Sequence, residues 1–221
     1  MVEELFIDPA AGVELPVPST VTVTEVSAHV LARLADTTTP QGVVALVRTP
    51  QAGLAEAAAG GRTVVLHELA DPGNAGTIIR TADAAGATGV VLTEGSVDPF
   101  GPKALRAAAG STYHLPICTD ATLQAAVAAC RAAGQSVLGL AADAPDRVDE
   151  LDMAASIALV LGNEAHGLDA AARDLLDGAV AVPIHGRAES LNVAAAAAVA
   201  LYALASRRPA EAPPDDAADG S

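Results

Sequence analysis

From residue 62 onward, short apolar runs alternate with segments of helical periodicity, and this alternation restricts the chain more than any other feature. RTVVLHEL (62–69), GVVLTE (89–94), SVLGLAA (136–142), SIALVLG (156–162) and AVAVPIH (179–185) read as strands, and STYHLPIC (111–118) as strand-like. Between them lie helical patterns: GTIIRTADAAGA (76–87), PKALRAAAG (102–110), ATLQAAVAACRAAG (121–134) and LDAAARDLLDG (168–178). The alanine-rich helix within HGRAESLNVAAAAAVALY (185–202) closes the series. Strands apolar along their whole length are buried on both faces. The expected fold class is therefore α/β, a mostly parallel sheet with helices on both faces.

The flanks differ. VTVTEV (21–26), a short helix around SAHVLARLAD (27–36) and QGVVALVR (41–48) suggest an incomplete small α/β unit over residues 1–55, and AGLAEAAAGG (52–61) reads as a linker or short connecting helix. The main domain is expected over 60–207. The end, 208–221, is rich in Pro, Asp and Ala and is expected to be a disordered acidic tail.

Composition excludes several classes. The 221 residues are 51% hydrophobic, but much of that is alanine, and no run approaches the roughly 18–20 apolar residues of a membrane helix. MVEELFIDPA is acidic and does not resemble a signal peptide. Cys118 and Cys130 lack metal-ligand spacing, so they are expected to be reduced core thiols in a cytoplasmic protein, with no metal site. A net charge of −15 argues against generic nucleic-acid binding, though not against a local basic patch. GxGxxG, GxxxxGK[ST], HExxH and GxSxG are all absent.

Three stretches place polar groups just past strand ends, where open α/β sheets bind ligands. DPGNAGTIIRTA (71–82) turns at Pro72-Gly73 and leads through Asn74 and Gly76 into a helix, with Arg80 expected on its first turns, suited to phosphate. LGNEAHGL (161–168) puts Glu164 directly after a buried strand, which is costly unless the carboxylate is paired or open to a cleft. VPIHGRAESLN (182–192) brings Ser190 and Asn192 to the mouth of the alanine helix, where Ser190 reads as the N-cap.

Together these stretches resemble the SpoU–TrmH family of RNA ribose 2′-O-methyltransferases, within the SPOUT superfamily. NAGTIIRTADAAG is similar to the family's first motif, LVLGNEAHGL to the second, and VPIHGRAESLNVAAAAAVALY to the third, over about 62–207. TPQGVVALV (39–47) resembles the segment before the catalytic domain. The resemblance implies a C-terminal trefoil knot, a homodimer with the active site at its interface, and S-adenosylmethionine held mainly by backbone groups. By motif match the cofactor shell would be Gly162, Val182, Ile184 and Leu191, with Leu140 and Ala141 adding to it. The catalytic group would fall on Asn74, Arg80, Glu164, Ser190 and Asn192.

The implied reaction moves a methyl group to a ribose 2′-hydroxyl in structured RNA, ribosomal RNA rather than transfer RNA, with no metal. Arg80 would serve as an electrostatic clamp, since free guanidinium stays protonated far above neutral pH. Glu164 would anchor either a loop or Arg80. The chain departs from the family at Ala165, where glycine is common. VEELFIDP resembles the middle of the family's N-terminal RNA-binding domain, so the first half of that domain is expected to be absent, through either a misassigned start or a reduced substrate-binding part, and RNA methylation by the 221 residues is expected to be weak. A non-catalytic RNA-binding or ribosome-assembly protein retaining the fold is the alternative.

Overall fold

The computed structural model describes residues 2–35, 37, 39–151 and 156–205, divided after Pro50 into two units. The first unit contains β1 (Val2–Ile7), β2 (Thr22–Glu25), α1 (Ala28–Leu34) and β3 (Val43–Val47). Its sheet has the order β2-β1-β3, with β1 parallel to β2 and antiparallel to β3. The central strand, β1, falls on residues to which the periodicity assigned no strand. The Ser27 hydroxyl caps α1 by accepting from the Val30 N–H at 3.4 Å.

The second unit runs α2 (Leu54–Ala57), β4 (Arg62–Leu66), α3 (Pro72–Ala84), β5 (Gly89–Thr93), α4 (Pro102–Ala108), β6 (Ile117–Ala121) and α5 (Leu123–Ala132). It continues through β7 (Ser136–Leu140), β8 (Asp146–Arg147), β9 (Ile157–Leu161), α6 (Ala170–Asp174), β10 (Gly178–Ala181) and α7 (Val193–Ala205). The strand order is β6-β5-β4-β9-β7-β10-β8, and every pairing is parallel.

Two cores explain the uninterrupted apolar strands. Val64 and Leu66 of β4, with Ile157, Leu159 and Leu161 of β9, face Ile78 and Ile79 of α3 and Leu201 and Leu204 of α7. The alternate residues Val65, Ala158 and Val160 face Leu123, Val127 and Cys130 of α5. Truncating a side chain such as Leu159 in this packing is expected to cost about 2–5 kcal/mol. The small residues set the helix spacing. A Cβ at Gly76 would lie 2.2 Å from the Ala104 carbonyl oxygen, so α3 and α4 meet as closely as backbones allow. Ala194, Ala197 and Ala200 form the buried stripe of α7, which packs on α3. Arg62 fastens the far ends of both helices, donating to the Ala85 and Leu204 carbonyls at 3.2 and 3.1 Å.

Several boundaries differ from those read in the sequence. Residues 111–118 do not form one strand. Ser111–Tyr113 is a 3-10 turn, and β6 starts at Ile117. β10 ends at Ala181, so residues 182–185 leave the sheet, and the short β8 lies beyond β10. α3 begins at Pro72, four residues early, because Asp71 caps it through the Asn74 N–H at 2.9 Å and Pro72 occupies its first turn. Asn192, not Ser190, caps α7: its Oδ1 accepts from the Ala194 and Ala195 N–H groups at 2.9 and 3.3 Å. The helix starts at Val193, leaving Ser190 too far upstream for that role.

Segment 52–61 contains α2, whose Leu54 and Ala57 pack in the second unit's core. Cys118 and Cys130 are buried free thiols whose pKa values burial pushes up. Among the described residues no helix is long and apolar enough to cross a membrane. The tail expected over 208–221 lies outside the described residues.

Candidate active site

The C-terminal ends of β7, β9 and β10 open into a cleft of about 300 Å³. Each strand delivers a loop to it. Leu140 and Ala141 come from the end of β7, Gly162 from the residue after β9, and Val182 and Ile184 from the chain leaving β10. Leu191, Ser190 and Glu164 complete the lip. All six expected cofactor residues and two of the expected catalytic ones therefore meet at one cleft.

Gly162 is needed there for steric reasons. A Cβ would lie 2.3 Å from the Gly167 carbonyl carbon and oxygen and 2.7 Å from the Leu168 nitrogen. The 163–167 loop folds back on itself through reciprocal backbone bonds between Asn163 and Gly167, at 3.1 and 2.8 Å, and Gly167 has φ +64°. Asn163 was not singled out in the sequence, yet its side chain secures this loop. Its Nδ2 donates to the Glu68 carbonyl at 2.8 Å, and its Oδ1 accepts from the Ala165 N–H at 2.8 Å.

Glu164 draws the three polar stretches together. Its Oε2 accepts from the Ala70 N–H at 3.0 Å, and its Oε1 from the Asp71 N–H at 2.9 Å and Asn74 Nδ2 at 3.1 Å. Asn74 Oδ1 in turn accepts from Asn192 Nδ2 at 3.3 Å, and Asn192 Oδ1 holds the start of α7. The direction of this series follows from the chemistry. A carboxylate only accepts, so Asn74 must turn its amide nitrogen to Glu164 and its oxygen to Asn192. Partial burial pushes the Glu164 carboxyl up, but bonds from Ala70, Asn74 and Asp71 outweigh it and hold the pKa below the ordinary glutamate value. Of the two anchoring roles expected for Glu164, the structure makes the loop contact.

Arg80 stands apart from this series. Because α3 starts at Pro72, Arg80 lies eight residues inside the helix, about 12 Å along its axis at 1.5 Å per residue, and not at the amides of its N-terminus. It is exposed and has no protein partner among the described residues. Ser190 is exposed on the cleft lip, and its hydroxyl is likewise free among the described residues.

A second cleft, of about 270 Å³, opens at the ends of β4, β5 and β6. Glu68, Glu94 and Asp169 line it with His67, whose Nδ1 lies 3.0 Å from Thr93 Oγ1. Among the described residues no group of three or more His, Cys, Asp and Glu side chains is arranged to hold a metal ion.

The family model of the SpoU rRNA methylases matches residues 61–202, which contain all three polar stretches. The chain belongs to the SpoU rRNA methylase family. Within it, the chain is 42% identical over 169 residues to a 23S rRNA (guanosine(2553)-2′-O)-methyltransferase of Bacillus subtilis, covering 76% of this chain and 66% of that protein. It is 36% identical over 150 residues to a 23S rRNA (uridine(2479)-2′-O)-methyltransferase of Streptomyces viridochromogenes, covering 66% and 52%. The chain thus spans just under two thirds, or less, of these relatives' lengths.

The fold is similar to that of the SpoU methyltransferase AviRb from Streptomyces viridochromogenes, with TM-score 0.81, 31% identity, and 94% and 82% of the two chains covered. It is also similar to an AdoMet-bound rRNA methyltransferase from Sinorhizobium meliloti, with TM-score 0.80, 32% identity, and 92% and 79% covered. The parallel α/β sheet flanked by helices is that of SPOUT methyltransferases.

Proposed function

We propose that this chain transfers a methyl group from S-adenosylmethionine to a ribose 2′-hydroxyl of ribosomal RNA. The observation that carries this reading is the Glu164–Asn74–Asn192 series, which begins at Glu164 on the lip of a cleft walled mainly by apolar side chains. The ribosomal preference is supported by the named substrates of the Bacillus and Streptomyces relatives.

The cleft fits the cofactor. Its volume is at the lower end of the roughly 300–1,000 Å³ usual for small-molecule sites. Leu140, Ala141, Val182, Ile184 and Leu191 supply apolar walls, and Gly162 leaves the loop backbone bare. S-adenosylmethionine bound there would supply an electrophilic methyl group on its sulfonium.

The chain's own residues then have to position the acceptor. Asn74, Ser190 and Asn192 orient the ribose hydroxyl. Such alignment is worth up to about 7–11 kcal/mol in ideal cases. Glu164 acts by fixing Asn74 and the 70–71 backbone. Its oxygens are occupied by three donors, which leaves them poorly placed to take the hydroxyl proton. Arg80, with no protein partner among the described residues, holds a substrate phosphate, and phosphate or solvent takes the proton.

The active form is a cytoplasmic homodimer, for which the exposed stripe Ala195, Val199 and Tyr202 on α7 offers an apolar face. The chain around the cleft is knotted. In support, the 162–168 and 182–192 loops, separated by α6 and β10, line one cleft with the end of β7. The first unit contributes to RNA binding.

The test pairs a calorimetric titration with S-adenosylmethionine and transfer of its labelled methyl group to 23S rRNA, followed by mapping of ribose methylation. Micromolar binding and one modified ribose are expected. Binding without transfer to any ribosomal RNA, or no binding, would favour the non-catalytic alternative.

A further inference from the structure

Lys103 is the only lysine in a chain with 27 acidic and 12 basic residues. It stands at the start of α4, and its ammonium meets Asp71 at 2.8 Å. Asp71 is part of the machinery described above. Its other carboxylate oxygen caps α3 at the Asn74 N–H, and its own N–H donates to Glu164. The Lys103 stem lies against the first turn of α3, where a Cβ on Gly73 would sit 3.4 Å from Lys103 Cε. The ammonium therefore stands one residue from Asn74 while remaining well exposed, with 59% of the side chain open to solvent.

Most of the other cations around the fold are committed elsewhere. Arg131, Arg147 and Arg173 each fork onto a carboxylate, at Asp177, Asp149 and Asp143. Arg62 is spent on helix-end carbonyls. Among the described residues Lys103 makes a single polar contact, with a half-exposed partner that remains bonded to Asn74 without it. An exposed pair of this kind adds little to stability and exchanges readily for a stronger anion. The segment around it is locally basic: residues 99–116 carry Lys103, Arg106 and His114 and no carboxylate, with His114 already meeting Asp83 at 2.8 Å.

We infer that Lys103 is a phosphate anchor for the RNA backbone: on binding it leaves Asp71 and pairs with a phosphodiester next to the ribose held by Asn74 and Asn192. The inference rests on the methyltransferase reading for the identity of the ligand, but its test is separate. Lysine suits the role as a mobile point charge whose partner can change, whereas a forked arginine would hold one geometry. An anchor of this type fixes position without reading sequence, so its loss weakens binding uniformly.

The experiment measures filter binding of 23S rRNA over a range of salt concentrations for the wild type, Lys103→Met and Lys103→Arg. Methyl transfer and S-adenosylmethionine affinity are recorded in parallel. Lys103→Met keeps the stem and removes the charge. It is expected to bind RNA about tenfold more weakly and to lose roughly one phosphate from the slope of log K against log salt, a change of about 0.7–0.9. Lys103→Arg should retain the slope, and cofactor affinity and thermal unfolding should match the wild type. An unchanged slope in Lys103→Met overturns the inference, whether RNA affinity falls or not, because a merely structural role acting through Asp71 would not alter ion release. If the wild type shows the slope and the variant loses it while no methyl is transferred, the anchor stands and the methyltransferase reading falls.

Discussion

The two clefts lie on the same C-terminal rim, have similar volumes and share a boundary, yet they are built for different contents. Their common element is the Glu68 carbonyl, which accepts from Asn163 between them. The cleft at β7, β9 and β10 has small apolar walls, a bare glycine loop and a polar series confined to its lip. The cleft at β4, β5 and β6 presents Glu68, Glu94 and Asp169, which repel the phosphates of RNA. Position on the sheet therefore creates an opening, while lining decides what enters it. The backbones differ as well: the first cleft excludes a Cβ at Gly162, whereas the second carries a full side chain even at Glu68, whose φ is +52°.

The largest expected effect tests that backbone requirement. Gly162→Ala would drive a methyl group into the Gly167 carbonyl 2.3 Å away, so the 163–167 loop must move. Cofactor affinity should fall more than a hundredfold by calorimetry, with a lower melting temperature. Retained affinity would mean that the cofactor does not use this cleft. Next comes Arg80→Ala, expected to cut methyl transfer by orders of magnitude while cofactor affinity stays within a few fold. Near-wild-type turnover would remove Arg80 from the reaction.

A smaller effect concerns Glu164. Its folded pKa lies below the ordinary glutamate value of about 4.3. The stabilisation from its charged form is therefore fully present above that value and is lost as pH falls through the lower folded pKa. Denaturant titrations should show Glu164→Gln less stable than the wild type at pH 7, with the gap narrowing below pH 4. A constant gap would indicate that the carboxylate charge is irrelevant. The smallest effect belongs to the acidic cleft: Glu94→Gln should leave cofactor affinity and methyl transfer unchanged within twofold. A large loss would make the two clefts one functional site.

Part of this contrast was legible in the sequence because its causes are local. Strands β4 and β9 are apolar at consecutive positions, which requires cover on both faces, and each polar stretch begins where an apolar run stops. The start of α3 was also written locally, in the Asp71-Pro72 pair, but the following Gly73-Asn74 reads equally as a turn. Alanine around 193–200 marks a helix whatever it packs against, yet nothing local separates Ser190 from Asn192 as its cap. Both are good caps, and the choice depends on how the loop arrives from β10.

What the sequence by itself determined is thus the alternation of strands and helices, the burial of the sheet on both faces, and the three polar stretches with their residue types. Only the tertiary structure decided their partners. Glu164 is 94 residues from Ala70, and Asn192 is 118 from Asn74. A carboxylate beside a strand end must find donors, but which donors depends on the parallel pairing of β4 with β9 and on the seating of α7 against α3. Arg80 shows the same limit from the other side. Its spacing from Asn74 is fixed by the sequence, but the true start of the helix carried it away from the N-terminal amides and left its charge exposed. Periodicity and capping act over a few residues, whereas the site is assembled by contacts that exist only after the sheet has formed.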